Sequence, residues 1–389
     1  MVHAIVLMAV LEAGQVEFKR HDIDAYPAGY QVAVADVNGD GRPDVLALST
    51  EANRVDWYEA PNWRRHPVAQ TARNIDLAVH DMNGDGQVEL ALAAGFHFDR
   101  PDRGGEIYLL RQPAGRDELW LMRRLAVDPV VHRLRWGDFR GDGRKSLVHA
   151  SIFGPGSDGV RAPTAAHLWA IDVSPGPDGG NASIQRIDEE LTVLHGLCVE
   201  DLDGDGRDEI LTASFEGIFR FDRQGSVDRP RWTKTQIAPG APPASERPGA
   251  PRGTSEVLAG RFADGRMFLA AIEPWHGNQV VVYTCGETAD TWRRRVLDDT
   301  LEAGHALVVA DLDGDATDEI VAGWRGGEGG LRLYDASDDQ FSRHRTVAVD
   351  RGIAVEGAVA ADLNQNGRVD LVAIGGRTNN LVWYENLGR

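Results

Sequence analysis

Residues 32–48 read VAVADVNGDGRPDVLAL: an apolar run, a tight turn rich in Asp and Gly, and a second apolar run. Short apolar runs bounded by Gly, Asn and Asp are strands, so this stretch is a hairpin. It recurs as LAVHDMNGDGQVELALA, LRWGDFRGDGRKSLVHA, LCVEDLDGDGRDEILTA, VLAGRFADGRMFLAAI, LVVADLDGDATDEIVAG and AVAADLNQNGRVDLVAI. The leading positions of the seven turns are Asp36, Asp81, Asp138, Asp201, Arg261, Asp311 and Asp362, spaced 45 to 63 residues apart. A repeat of this period is a unit that buries its apolar face only against its neighbours.

Each copy continues into an aromatic-tipped strand: RVDWYE, EIYLLR, HLWAID, GIFRFD, QVVVYT, GLRLYD and NLVWYE. Most copies add a fourth, such as WRRHPVA, WLMRRLAV or WRRRVLD. No segment sustains a 3.6-residue period, so helix is expected to be scarce. Four strands repeated seven times predict an all-β, seven-bladed β-propeller over residues 16–389. The last copy stops after its third strand, Leu381 to Leu387, and a spare fourth-type strand, VEFKRHDI, stands at 16–23. The N-terminal strand is therefore expected to complete the last blade and close the ring, removing the edges that a linear solenoid would leave. Residues 1–15 precede it, apolar from Ala4 to Leu11 and read as an edge strand or a trimmed leader.

Composition narrows the function. With 41 Lys+Arg against 60 Asp+Glu the net charge is −19, which disfavours nucleic acid and anionic membranes. Two cysteines, Cys198 and Cys285, exclude a disulfide scaffold and a Cys-based zinc site, and both are expected to be buried thiols. There is no Gly-x-Ser-x-Gly elbow and no phosphate loop. The compartment stays open between cytoplasm, periplasm and secretion.

The turns place oxygen ligands on alternate residues, as Ca²⁺ requires. The ligand sets are Asp36, Asn38, Asp40 and Asp44; Asp81, Asn83, Asp85 and Glu89; Asp201, Asp203, Asp205 and Glu209; Asp311, Asp313, Asp315 and Glu319; and Asp362, Asn364, Asn366 and Asp370. Copy six has Ala316 in place of Gly, copy three has Arg140 and Ser146 at ligand positions, and copy five lacks the loop. Without metal, the same carboxylates cap the turn's own amides.

Chemistry is expected on the opposite face, at the mouth of the central channel. The residue opening each inner strand is, round the ring, Tyr30, Ile75, His132, His195, Ser255, His305 and Glu356; the next include Asp76, Arg133 and Glu256. Loops on that face add His97, Glu273, Trp275, His276, Asn278 and Arg325. His132, His195, His276 and His305, with Glu256, Arg133 and Arg325, form the candidate catalytic set. Tyr30, Asp76, Glu273, Trp275, Asn278, His97 and Glu356 are the candidate substrate contacts. His195, His276 and His305 can hold a divalent metal such as Zn²⁺ or Mg²⁺. His66 and His344 are read as surface residues, His80 and His149 as structural ones.

The turns resemble the calcium loops of FG-GAP and VCBS repeats. Longer phrases are similar to the propeller domain of aldos-2-ulose dehydratase: VHRLRWGDFRGDGRKSLVHASIFGPGS, LHGLCVEDLDGDGRDEILTASFEG, RGTSEV, IEPWHGNQVVVYT, and GHALVVADLDGD with VAGWRGG. Propeller polysaccharide lyases are similar more generally. The resemblance implies a carbon–oxygen lyase that eliminates water from a keto sugar such as 1,5-anhydrofructose or glucosone, with the rim histidines as its functional residues. The family enzyme continues into cupin-like domains, so only the elimination step is expected here. The other reading is a non-catalytic propeller that binds a glycan or a protein.

Overall fold

The computed structural model describes residues 15–173, 182–226, 229–286, 291–336, 338 and 340–389. The apolar N-terminal run lies outside them. Among the described residues there are 28 strands and no helix, in seven four-stranded antiparallel sheets. Six sheets take consecutive strands, while the seventh takes Glu17–Asp24 as its outer strand against Asn380–Gly388. The expected closure is therefore present, and the linear arrangement is overturned.

The inner strands are Gly29–Ala35, Asp76–His80, Val131–Gly137, Gly196–Glu200, Glu256–Arg261, Gly304–Ala310 and Val355–Ala361. The second strand is buried along its whole length in five sheets, exemplified by Asp44–Ser49 and Ser146–Ser151, and at all but one end residue in the other two, Met267 and Trp324. Both of its faces are covered by flanking blades. Leu46, Leu48, Leu90 and Leu92 thus share one cluster across blades one and two. Burying each such side chain contributes about 1.5–3 kcal/mol, so the blades are held mainly by packing against one another.

The Asp-rich turns lie between first and second strands. Asp36 accepts from the Gly39 and Gly41 amides, both at 2.8 Å, and Asp81, Asp138 and Asp201 repeat this on their own glycines. The closing acids Asp44, Glu89, Glu209, Glu319 and Asp370 accept from the amides of Val37, Met82, Leu202, Leu312 and Leu363. In blade three, Arg140 and Ser146 both bond Asp172 instead. Blade five closes with a short turn from Phe262 to Arg266.

Two single-residue expectations need correction. Cys285 is exposed, because it ends its strand; Cys198 is buried, and burial pushes its thiol up to about 12. His66 is a core residue, 1 % exposed, stacked on Trp57 and bonded to Glu59 and Asp117. His149 is buried against Asp128, as read.

Candidate functional site at the channel mouth

The inner strands begin with a recurring backbone device. Two residues before each ring position of the first six blades stands a residue in the left-handed region: Ala28 (φ 47°), Arg73 (54°), Val130 (55°), Val193 (47°), Gly253 (63°) and Ala303 (55°). For a valine this costs about 1–3 kcal/mol. In blades one, three, six and seven the ladder then slips one residue, leaving Tyr30, His132, His305 and Glu356 unpaired. Bulges of this kind re-aim a side chain. Here four of them bring Tyr30, His132, His305 and Glu356 to the two cavities of the central channel.

The result is a buried imidazole cluster. The His132 and His195 ring centroids are 4.5 Å apart, His195 and His276 4.7 Å, and His276 and His305 5.1 Å. Ligand atoms of His195, His276 and His305 all lie within 4.8 Å of one another. Tyr30 Oη bridges His132 Nε2 (3.2 Å) and His305 Nε2 (3.3 Å).

Hydrogen bonding assigns the ring nitrogens. His195 Nδ1 faces the Ser255 carbonyl at 3.1 Å and Glu256 Oε1 at 2.9 Å. His305 Nδ1 faces the Glu356 carbonyl at 2.7 Å. Both Nδ1 atoms therefore carry a proton, and both Nε2 atoms offer a lone pair. His276 Nδ1 receives Arg325 Nη2 at 3.1 Å, so its Nε2 donates to His195 Nε2 at 2.9 Å.

Each backing carboxylate is held by an arginine. Arg133 Nη2 bonds Glu256 at 2.9 Å, and Arg325 Nη1 bonds Glu356 at 2.7 Å. Burial, aided by the Arg133 and Arg325 charges, pushes His276 and His305 well below the usual imidazole range. It lowers His132 likewise and His195 less, since Glu256 opposes the shift. Burial raises Glu256, but Arg133 and His195 outweigh it and hold it below its ordinary value. Burial raises Tyr30, which stays protonated.

The cluster divides two cavities. The mouth cavity, about 520 Å³, is lined by Tyr30, His132, His195, His276, Arg325 and Glu356, with Phe96, Phe98 and Trp275 as an aromatic wall. Below it, a channel cavity of about 350 Å³ is lined by Arg133, Glu256 and His305, with Glu356 reaching both. Of the expected catalytic set, Arg133, Glu256 and His305 thus line the channel and not the mouth.

Four expected substrate contacts fall elsewhere. Asp76 is fully buried and bonds Leu134 N and Arg135. Glu273 is fully buried and bonds Tyr283 and Arg294 within its own blade. Asn278 donates its amide to the Asp299 carbonyl. His97 stands outside the cavity, though its neighbours Phe96 and Phe98 line it. Arg73, Thr50 and Glu51 line the mouth and were not read from the sequence. The only sequence signal for them is a place in loops of that face.

Fold and repeat define a seven-bladed β-propeller, and the model of the FG-GAP-like repeat matches residues 36–92. More particularly, the model of the aldos-2-ulose dehydratase β-propeller domain matches residues 104–286. The chain is 26 % identical to aldos-2-ulose dehydratase of Phanerodontia chrysosporium over 306 residues, which is 70 % of this chain and 32 % of that protein. The matched region is thus about a third of that relative's length. Among solved structures, the exotype rhamnogalacturonan lyase YesX aligns with TM-score 0.52 and 14 % identity, over 97 % of this chain and 75 % of that one. BBS1N, solved in complex with ARL6DN, aligns with TM-score 0.59 and 14 % identity, over 96 % and 97 %. These two share the fold.

Proposed function

We propose that this propeller is a carbohydrate-directed carbon–oxygen lyase, eliminating water from a keto sugar such as 1,5-anhydrofructose or an aldos-2-ulose. The observation that carries the reading is the set of buried imidazoles with assigned nitrogens at the floor of an aromatic-walled cavity. The similarity to aldos-2-ulose dehydratase supports the same reaction class.

Elimination needs a base, an anchor for the enolate oxygen and an acid for the departing hydroxyl. His195 Nε2 is the base once His276 turns its Nε2–H away from it: His195 borders the mouth, and its Nδ1 proton is fixed by Ser255 and Glu256. It takes the proton beside the carbonyl, and that electron pair becomes the new double bond. Arg325 borders the mouth and steadies the enolate oxygen. Tyr30, within reach of His132, gives its proton to the leaving hydroxyl, which departs as water. Arg133 and Glu256 keep the base oriented from behind, a positioning role.

The donor set also fits a borderline divalent cation such as Zn²⁺; Mg²⁺, which takes oxygen ligands, does not suit three imidazoles. His195 and His305 point Nε2 lone pairs inward and are anchored at Nδ1, the outer support that metal-binding imidazoles have. His276 completes the three once its Nε2 proton is released. Such a cation, when bound, would occupy the His195 lone pair and polarise the substrate carbonyl as a Lewis acid, so the metal-loaded site is an alternative to the one in which His195 is the base.

The test is near-UV absorbance during incubation with 1,5-anhydrofructose, glucosone, a 3-keto glucoside and uronic-acid oligosaccharides, with and without added metal. A conjugated product should appear with wild type and be lost in His195→Ala and His305→Ala. Tyr30→Phe should slow it by roughly 10²–10⁴-fold, the usual worth of an acid–base group. A flat trace on every substrate with folded, metal-supplied protein would remove the lyase reading and leave a propeller that binds a glycan or a protein.

A further inference from the structure

Beside the mouth stands a third cavity that the reaction above does not use. Two insertions build it: the segment 154–165 of blade three and the segment 239–254 that leads into blade five. It has a volume of about 540 Å³ and is lined by Arg161, Arg247 and Arg252, with Glu246 as its one acid. Among the described residues none of these arginines has a carboxylate within ion-pair distance; Arg252 lies over the Phe215 ring at 4.2 Å. In a chain of net charge −19, where most arginines described above are paired with acids, three unpaired guanidinium groups around one hollow mark a site for an anion. Guanidinium recognises carboxylate, sulfate and phosphate through paired N–H donors.

The walls are built to hold that geometry. Ala241 and Gly253 exchange backbone bonds of 3.0 and 2.8 Å, Ala244 N bonds Pro251 O, and Asp158 pairs with Ala162. Gly249 (φ 78°) lets the two insertions touch: a Cβ there would meet Val160 O at 2.7 Å. Pro163, Pro243 and Pro248 stiffen the lining.

The cavity is one wall away from the mouth. Trp275, which lines the mouth, donates its backbone N–H to the Arg252 carbonyl at 3.2 Å. It also packs with Phe153, Phe215 and Val160 in one apolar cluster. A saccharide seated at the histidines therefore has a short path across Trp275 to the arginines.

We propose that this groove is an anion-binding subsite for a saccharide that extends from the mouth and bears a carboxylate or an ester-linked sulfate or phosphate. It deepens the lyase reading by making the preferred ligand anionic and larger than a free keto sugar.

The test is calorimetric titration with digalacturonate, galactose 6-sulfate and galactose 6-phosphate, and with neutral galactobiose. It uses wild type, Arg161→Gln/Arg247→Gln and, separately, His195→Ala. The expected result is that at least one anionic probe binds ten-fold or more tighter than galactobiose. That advantage should shrink at high salt and vanish in the double arginine variant, while His195→Ala keeps it. Uronate, sulfate and phosphate are separated by which probe binds. Equal binding of neutral and anionic sugars, an unchanged affinity in the arginine variant, or no binding of any anionic probe would overturn the subsite. Because no turnover is read, loss of elimination in His195→Ala with binding intact leaves this inference standing apart from the lyase reading.

Discussion

His195 and Ala316 show how much one residue's environment decides. A solvated imidazole titrates near 6.5 and is half protonated there. Burial moves His195 downward, with Arg133 and Arg325 adding to the effect and Glu256 opposing it. The neutral, proton-accepting form therefore persists into mild acid. kcat/KM for elimination should stay level from pH 8 to about 6.5 and fall only below that, with the acid limb beneath the ordinary His value. Arg325→Gln removes one of the positive charges that depress the ring, so it should move the limb toward neutral pH as well as lower kcat; an unmoved limb would deny His195 the role of base. Ala316 makes a point about stability. Its φ is 69°, where Gly41, Gly86, Gly143, Gly206 and Gly367 stand at 81–83° or slightly above in the sister turns. A left-handed Cβ costs roughly 1–2 kcal/mol, and the site is exposed. Ala316→Gly should stabilise the chain by about 0.5–1 kcal/mol once the entropy of Gly is subtracted. Gly86→Ala should cost about 1 kcal/mol, both read by thermal unfolding.

Blades differ in how their elements are tied. A tyrosine of the third strand reaches an acid near the end of the preceding blade's outer strand: Tyr58 to Asp24, Tyr334 to Asp298 and Tyr384 to Asp350. Burial pushes Asp298 up, but bonds from Tyr334, Thr300 and Arg332 outweigh it and hold the carboxyl down to about 2. Its folded value is depressed, so the stabilisation is present above the unfolded value near 3.9 and is lost as pH falls through about 2. Asp298→Asn should cost about 1 kcal/mol at pH 7, discounted for partial solvent exposure, and flatten the loss of stability between about pH 4 and 2. The Asp-rich turns offer a second tie. Carboxylate oxygens of Asp201, Asp203 and Glu209, and of Asp311, Asp313 and Asp315, lie within 4.8 Å of one another. We propose that these loops take Ca²⁺; at a hundred-fold excess over Kd one such site adds about 2.7 kcal/mol. Calorimetry with Ca²⁺ or EDTA should give a higher Tm with the ion, and Asp201→Asn/Glu209→Gln should shrink the difference. The element pattern was legible in the repeat, because alternating apolar runs and Asp–Gly turns are local. So was the ring of Tyr30, His132, His195, His305 and Glu356, since position in a repeat fixes position on the axis. The bulges at Tyr30, His132, His305 and Glu356 were not legible, for register slips depend on the neighbouring strand. Nor were the inward turns of Glu273 and Asp76, which follow from Arg294 and Arg135 on other strands.

Closure binds the whole molecule through one sheet built from both ends of the described chain. Glu17–Asp24 runs along Asn380–Gly388 from Glu17 opposite Gly388 to Asp24 opposite Leu381. Arg20 and Tyr384 meet on Asp350, His21 stacks on Trp383 at 4.4 Å, and Phe18 packs on the core shared by blades six and seven. Without that strand, Asn380–Gly388 becomes a free edge with unpaired backbone groups, open to pairing with another chain. The mouth depends on the same seam, because Tyr30 lies in the first blade and Glu356 in the seventh. Deleting the chain through Asp24 should lower stability by roughly 3 kcal/mol or more, promote self-association and reduce elimination activity. His195→Ala should lose the activity at nearly unchanged Tm. Calorimetry, light scattering and the absorbance assay on the two variants separate a ring that positions the site from a site that merely sits on it. A truncated chain that melts, stays monomeric and turns over like the intact one would mean that packing between blades closes the ring by itself.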